Sequence, residues 1–154
     1  MPTHRTKFHE LKRVFALLHS PKGCIWDRKQ THRSLLPYLK EESQEFIEAV
    51  RKNDLKHMQE ELGDVLLQVM FHAQLASKKG SFDIEDVIDT LIKKLKRRHP
   101  HVFGNVRVTS SKQIIKNWHK IKVQEKTEKI RKNYLTNNFF SVISTMSIGI
   151  MENR

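Results

Sequence analysis

The sequence predicts an all-α chain, and three observations carry that prediction. Apolar residues recur at three- and four-residue steps nearly throughout. Only five Gly and four Pro punctuate 154 residues. No stretch alternates apolar and polar residues as a half-buried strand would. The length suits one domain with a real core, assigned to residues 1–132, with 133–154 a C-terminal tail expected to be truncated or partly disordered. A lone cysteine, Cys24, excludes an internal disulfide and fits a reducing, cytoplasmic setting. No signal peptide opens the sequence. The late apolar run Phe139 to Met151 is too short and too rich in Ser and Thr to span a bilayer, so no membrane is expected.

The elements follow in order. Leu11, Val14, Phe15 and Leu18 give an amphipathic helix over about Phe8 to His19, closed by the turn Ser20-Pro21-Lys22-Gly23. Trp26, Asp27, Gln30 and His32 then fall in an expected loop, where Trp26 plugs the end of a bundle and Asp27 or Thr31 caps a helix. A helix carrying Leu35, Leu39, Phe46, Ala49 and Val50 comes next. Asn53-Asp54 breaks it, and a second helix carries Met58, Leu62, Val65, Leu66, Val69 and Ala73. So short a connection makes the two antiparallel neighbours. After Lys79-Gly80, Asp83 caps a helix over Ile84 to Arg98. Beyond His101-Val102-Phe103-Gly104 the chain turns helical again near Ser110, with Ile114, Ile115, Trp118, Ile121 and Lys122 at helical intervals. The histidines form no metal pattern and read mostly as surface or packing residues.

Chemistry is sought where charge interrupts the apolar stripes. Glu42 falls between Leu39 and Phe46 in one stripe, and Glu61 and Asp64 sit directly beside the other. Glu42 and Glu45 are three apart, as are Glu61 and Asp64, so each pair projects from one side of its helix. Glu45 and Glu61 lie at similar distances before and after the break, which brings the pairs to one height of the hairpin. Unpaired buried carboxylates cost roughly several kcal/mol each; a solvated acidic face is the plain alternative. All four side chains offer oxygen, so a hard divalent cation fits, Mg²⁺ above all. From Ser34 to His72 eight acidic residues face four basic ones, a net of −4 inside a chain of +12. An acidic island in a basic protein suits a metal that bridges to an anionic substrate.

The basic counterpart begins at the end of the Ile84 to Arg98 helix, where Lys93, Lys94, Lys96, Arg97 and Arg98 crowd together. Helix-terminal cations are favoured by the dipole, but five in six residues exceed that need and could hold phosphates. Between Lys93 and Lys132 there are fourteen basic residues and two acidic ones, which supports a rival reading, a scaffold with a nucleic-acid-binding face and no catalysis.

The segments CIWDRKQTHRSLLPYLKEESQEFIEAV, EELGDVLLQVMFHAQLA, KLKRRHPHVFG and NWHKIKVQEK, in that order and spacing, resemble the MazG family of nucleoside triphosphate pyrophosphohydrolases over roughly Leu11 to Lys126. The resemblance implies an all-α bundle completed by dimerisation, dependence on Mg²⁺, and cleavage of a nucleoside triphosphate to monophosphate and pyrophosphate. It implies that Glu42, Glu45, Glu61 and Asp64 are the metal ligands, with Glu41 near the metal and the attacking water. By the same likeness Lys94, Arg97 and Arg98 contact phosphate, and Trp118 and Lys122 close over the nucleotide. Related all-α enzymes acting on dUTP or phosphoribosyl-ATP are an alternative within the same chemistry. Ile25 stands where the family usually has Pro. Many members have two similar halves and this sequence has one, so a weak or inactive binding half is the other implied possibility.

Overall fold

A computed structural model describes the backbone of residues 6–149 and the side chains of residues 6–135, and the described residues form seven helices and no strand. They divide into two compact units that meet between Asp89 and Thr90.

In the first unit α1, Lys7–Leu18, is capped by Thr6, whose side chain accepts the N–H of His9. The turn after it is tight: the N–H of Gly23 reaches Ser20 O at 2.9 Å and that of Cys24 reaches Leu18 O at 2.8 Å. A Cβ on Gly23 would overlap the carbonyls of Leu17 and Leu18, so only glycine fits. The segment expected as a loop is a short helix, α2, Ile25–Lys29. Five residues are too few for a period to show. Trp26 does pack at this end, edge-on to Tyr38 and Phe71 with centroids 5.6 and 6.1 Å away. Thr31 caps the next turn reciprocally. Its N–H donates to Ser34 Oγ at 2.9 Å and its Oγ1 accepts the N–H of Ser34 at 3.0 Å.

Helices α3, Leu36–Lys52, and α4, Leu55–Ser77, pack against each other. Asn53 turns the chain between them at φ 54°, the left-handed region that Asn tolerates. Asp54 Oδ1 accepts the N–H of His57 at 3.1 Å and starts α4. Helix α5 spans Ile84–Arg98, as expected, and opens with a reciprocal cap: Asp83 Oδ1 accepts from Glu85 and Asp86, and Asp86 Oδ2 accepts the N–H of Asp83. Its first turns lie in the first unit. The core there joins Phe15, Leu35, Met70, Phe71, Ala73, Leu75 and Ile84, with Leu67, Val87 and Ile88 packed against it. His32, just ahead of α3, stacks on His72 of α4 with 2.9 Å between their Nδ1 atoms. His72 Nε2 is buried and has no partner among the described residues.

One apolar stripe is not where periodicity alone would put it. Leu62, Leu66 and Val69 are 52%, 40% and 36% exposed, while Glu61 and Gln68 are buried. The face of α4 turned into the chain is thus offset from its most apolar stripe.

In the second unit α5 ends at Arg98, Pro100 opens a single turn α6, Pro100–Phe103, and α7 covers Ser111–Gly149. Ser110 caps α7 by accepting the N–H of Gln113. Ile114, Trp118 and Ile121 are half-buried, and Ile115 is exposed. The run Phe139 to Met151 lies outside the residues whose side chains are described. No helix among the described residues is long and apolar enough to cross a membrane.

Leu35 is fully buried and its neighbour Leu36 is 55% exposed. Urea unfolding of Leu35→Ala should therefore show a loss of about 2–5 kcal/mol, and Leu36→Ala a loss under about 1 kcal/mol. Equal losses would contradict this placement of the start of α3.

Candidate functional site

Helices α3 and α4 bring three carboxylates together. Glu42, Glu45 and Glu61 each offer an oxygen, and the three lie within 4.8 Å of one another. Glu42 and Glu45 occupy successive turns of α3, and Glu61 comes from α4, two turns beyond its Asp54 cap. Asp64, one turn further along α4, is outside this trio, but its charge acts on Glu42. Glu41 is exposed at the margin and adds its charge to both Glu42 and Glu45.

The electrostatics are those of a site short of positive charge. Glu42 is pushed above the ordinary carboxylate range by burial first, then by Asp64, Glu45, Glu61 and Glu41. Glu45 is pushed up by lost hydration and then chiefly by Glu61, with His57 opposing. Glu61 is 4% exposed. Its Oε1 meets His57 Nε2 at 2.8 Å, and its Oε2 is buried with no hydrogen-bond partner among the described residues. A buried carboxylate oxygen left unpaired beside two other carboxylates fits a cation as its missing partner. The donors are all hard oxygens, which suits Mg²⁺, Ca²⁺ or Mn²⁺ rather than a thiophilic ion. The contact from His57 was not anticipated. Its signal was present, since His57 and Glu61 are four apart on one helix.

The second unit holds the cationic residues. Lys94 is half-buried on α5. Arg98 grips Glu125 with Nη2 on Oε2 at 2.6 Å and Nε at 3.1 and 3.2 Å from the two oxygens, and Arg97 Nε reaches Oε1 at 2.7 Å. Trp118 carries two cations against its ring, the Arg98 guanidinium at 5.5 Å from the centroid and Lys122 Nζ at 5.1 Å. These hydrogen bonds and charges, that of Arg98 foremost, hold the Glu125 carboxyl down to about 2. Glu125 had no role in the sequence reading. Its only signal was rarity, as one of two acids in the tract from Lys93 to Lys132.

Comparison with known proteins bears on both regions. The profile of the MazG nucleotide pyrophosphohydrolase domain matches residues 30–103. The nucleoside triphosphate pyrophosphohydrolase/pyrophosphatase MazG of Thermotoga maritima is 58% identical over 122 residues, covering 79% of this chain and 46% of the relative. The nucleoside triphosphate pyrophosphohydrolase of Escherichia coli K12 is 37% identical over 123 residues, with 79% and 47% covered. The chain spans a quarter to about half of the length of the curated relatives it matches. Among solved structures, a mazG-related protein from Thermotoga maritima superposes with a TM-score of 0.61 at 31% identity, over 73% of this chain and 96% of that one.

The repulsion among the carboxylates has a measurable consequence. Both Glu42 and Glu45 titrate above the ordinary 4.5 in the folded chain. The folded state therefore binds more protons than the unfolded state in that range, and stability falls as pH rises from about 4.5 through the raised values. In chelator, Tm should drop across this window, and Mg²⁺ at pH 7.5 should restore it. Glu45→Gln should lessen the drop and remove most of the Mg²⁺ shift. Superimposable Tm profiles for the two proteins, with and without Mg²⁺, would show that Glu45 belongs to no such cluster.

Proposed function

The chain belongs to the MazG family, and from that premise we propose that it hydrolyses nucleoside triphosphates to nucleoside monophosphate and pyrophosphate with Mg²⁺, in the cytoplasm and as a homodimer. One observation carries the proposal. Three carboxylate oxygens lie within 4.8 Å of one another, and the partnerless oxygen of Glu61 is buried beside them.

In this reading Glu42, Glu45, Glu61 and Asp64 hold the metal. When bound, Mg²⁺ supplies neutralisation of phosphate charge and a fixed geometry for water and phosphate. Glu41, exposed at the rim, accepts a hydrogen bond from the attacking water and takes its proton as the new P–O bond forms at the α-phosphorus. The bond from that phosphorus to the bridging oxygen breaks, and pyrophosphate leaves with the bridging oxygen. Lys94, Arg97 and Arg98 bind phosphate oxygens, which favours Arg for its forked donors. Trp118 offers a ring face and Lys122 a cation to the nucleotide.

Support for a second copy comes from α4. Leu62, Leu66 and Val69 form a stripe at i, i+4 and i+7 that nothing among the described residues covers. A homodimer burying that stripe would account for it.

Glu42→Gln and Glu61→Gln should each cut turnover by at least about 10³-fold, roughly 4 kcal/mol in the barrier, with the helical circular-dichroism signal retained. The assay is product analysis across a panel of nucleoside triphosphates, with and without Mg²⁺. Full activity in either variant would remove the metal assignment, and phosphate in place of pyrophosphate would remove the reaction class. Separately, Leu66→Asp should shift the light-scattering mass from dimer to monomer. A wild-type protein that is already monomeric at micromolar concentration would rule out the dimer.

A further inference from the structure

Two adjacent arginines need a reason to work together. Arg97 and Arg98 are consecutive on α5, so their side chains leave the helix about 100° apart, and as like charges they repel. Nothing on α5 would aim both at one place. Glu125 of α7 does so. Its Oε1 receives the Nε of Arg97 at 2.7 Å and of Arg98 at 3.2 Å, while its Oε2 receives Nε and Nη2 of Arg98 at 3.1 and 2.6 Å. The side chains of Glu125 and Arg98 are 19% and 18% exposed, so solvent screens this contact less than a surface pair.

The way the arginines are held matters more than the fact that they are. Glu125 takes Arg97 by Nε alone, and both Nη groups of Arg97 have no partner among the described residues. Arg97 borders an open cleft of about 320 Å³ whose walls carry the cations Lys129 and Lys132, Asn133, and the carboxylates of Glu125 and Glu128. Arg98 is taken along its Nε–Nη2 edge, which leaves the Nη1 group, and its guanidinium is further constrained against Trp118 at 5.5 Å. One carboxylate between two guanidinia leaves a net charge of +1, still attractive to an anion.

We propose that Glu125 is a positioning residue for phosphate binding: it clamps Arg97 and Arg98 from one side, so that their remaining N–H donors are already oriented when a polyphosphate arrives. The inference rests on the reading of Arg97 and Arg98 as phosphate contacts given above. A carboxyl held at about 2 stays ionised at every working pH, so the clamp does not loosen with acidity in that range. Pre-orientation removes the entropy that two long side chains would otherwise lose on binding.

Charge and positioning predict opposite signs, and that makes the proposal testable. Glu125→Gln raises the local charge from +1 to +2. If Glu125 only offset the arginines, polyphosphate should bind more tightly to the variant; if it positions them, binding should weaken in spite of the added charge. The full-length protein is titrated with inorganic tripolyphosphate in Mg²⁺ by calorimetry, and KM and kcat are measured for a nucleoside triphosphate. Glu125→Gln should raise both Kd and KM at least about 10-fold with kcat within about threefold, the pattern of lost ground-state and transition-state binding alike. Glu125→Asp, which keeps the charge but not the reach to both arginines, should fall between the two and covers the case of a Gln variant that folds poorly. Arg98→Gln serves as the control. If it weakens tripolyphosphate binding while Glu125→Gln leaves binding unchanged or tighter, the positioning role is overturned and the phosphate reading stands. If Arg98→Gln has no effect on binding, the phosphate reading fails and the positioning role falls with it.

Discussion

The constraint on which the first unit depends is the mutual repulsion of carboxylates held between two packed helices. Glu42, Glu45 and Glu61 each offer an oxygen within 4.8 Å of the others, and Glu61, 4% exposed, is as buried as members of the apolar core. At such separations like charges repel, most strongly at the buried Glu61 and less at the solvent-exposed Glu45. The hairpin has to be stiff enough to hold them there. Its stiffness is local and visible: a left-handed Asn53 closes α3, an Asp54 cap opens α4, and the turn between them is fixed by backbone hydrogen bonds to Ala49 and Val50. His57, delivered by that same first turn of α4, places Nε2 2.8 Å from Glu61 Oε1.

The two units treat carboxylates in opposite ways. In the first, Glu42 and Glu45 are desolvated beside other carboxylates, and their titration moves up. In the second, Glu125 faces two guanidinia and its titration moves down to about 2. The first arrangement gathers negative charge, whereas in the second a single carboxylate is outnumbered by two guanidinia and a net charge of +1 remains. That contrast shows how chemically similar side chains are shifted in opposite directions by the charges around them.

How much of this could be read from the sequence depends on the range of each interaction. Helix α5 was legible to the residue because Asp83, Asp86 and the apolar spacing are all local. The gathering of Glu42, Glu45 and Glu61 was legible because a carboxylate in an apolar stripe is a local anomaly, and because the Asn53-Asp54 break set their relative height; Asp64, expected with them, falls outside the trio. Helix α2 was lost because five residues hold too little periodicity. The stacking of His32 on His72 and the clamp of Glu125 on Arg97 and Arg98 join residues about 40 and 27 positions apart, for which no spacing rule exists. Leu62, Leu66 and Val69 were correctly seen as an apolar face, but periodicity does not say whether a face is covered by the same chain.

The rotational setting of α4 connects that face to the carboxylates. Leu62 follows Glu61 directly, so a turn of α4 by about 100° would carry the apolar stripe toward the position Glu61 now occupies. Such a rotation would turn three half-exposed side chains inward, but it would take the buried Phe71 and Leu75 out of the core and would disperse the trio. Apolar burial within the chain therefore favours the observed setting. The same setting that keeps Phe71 and Leu75 inside and gathers the carboxylates leaves Leu62, Leu66 and Val69 on the outside, so the exposed stripe and the carboxylate cluster are two expressions of one helix orientation.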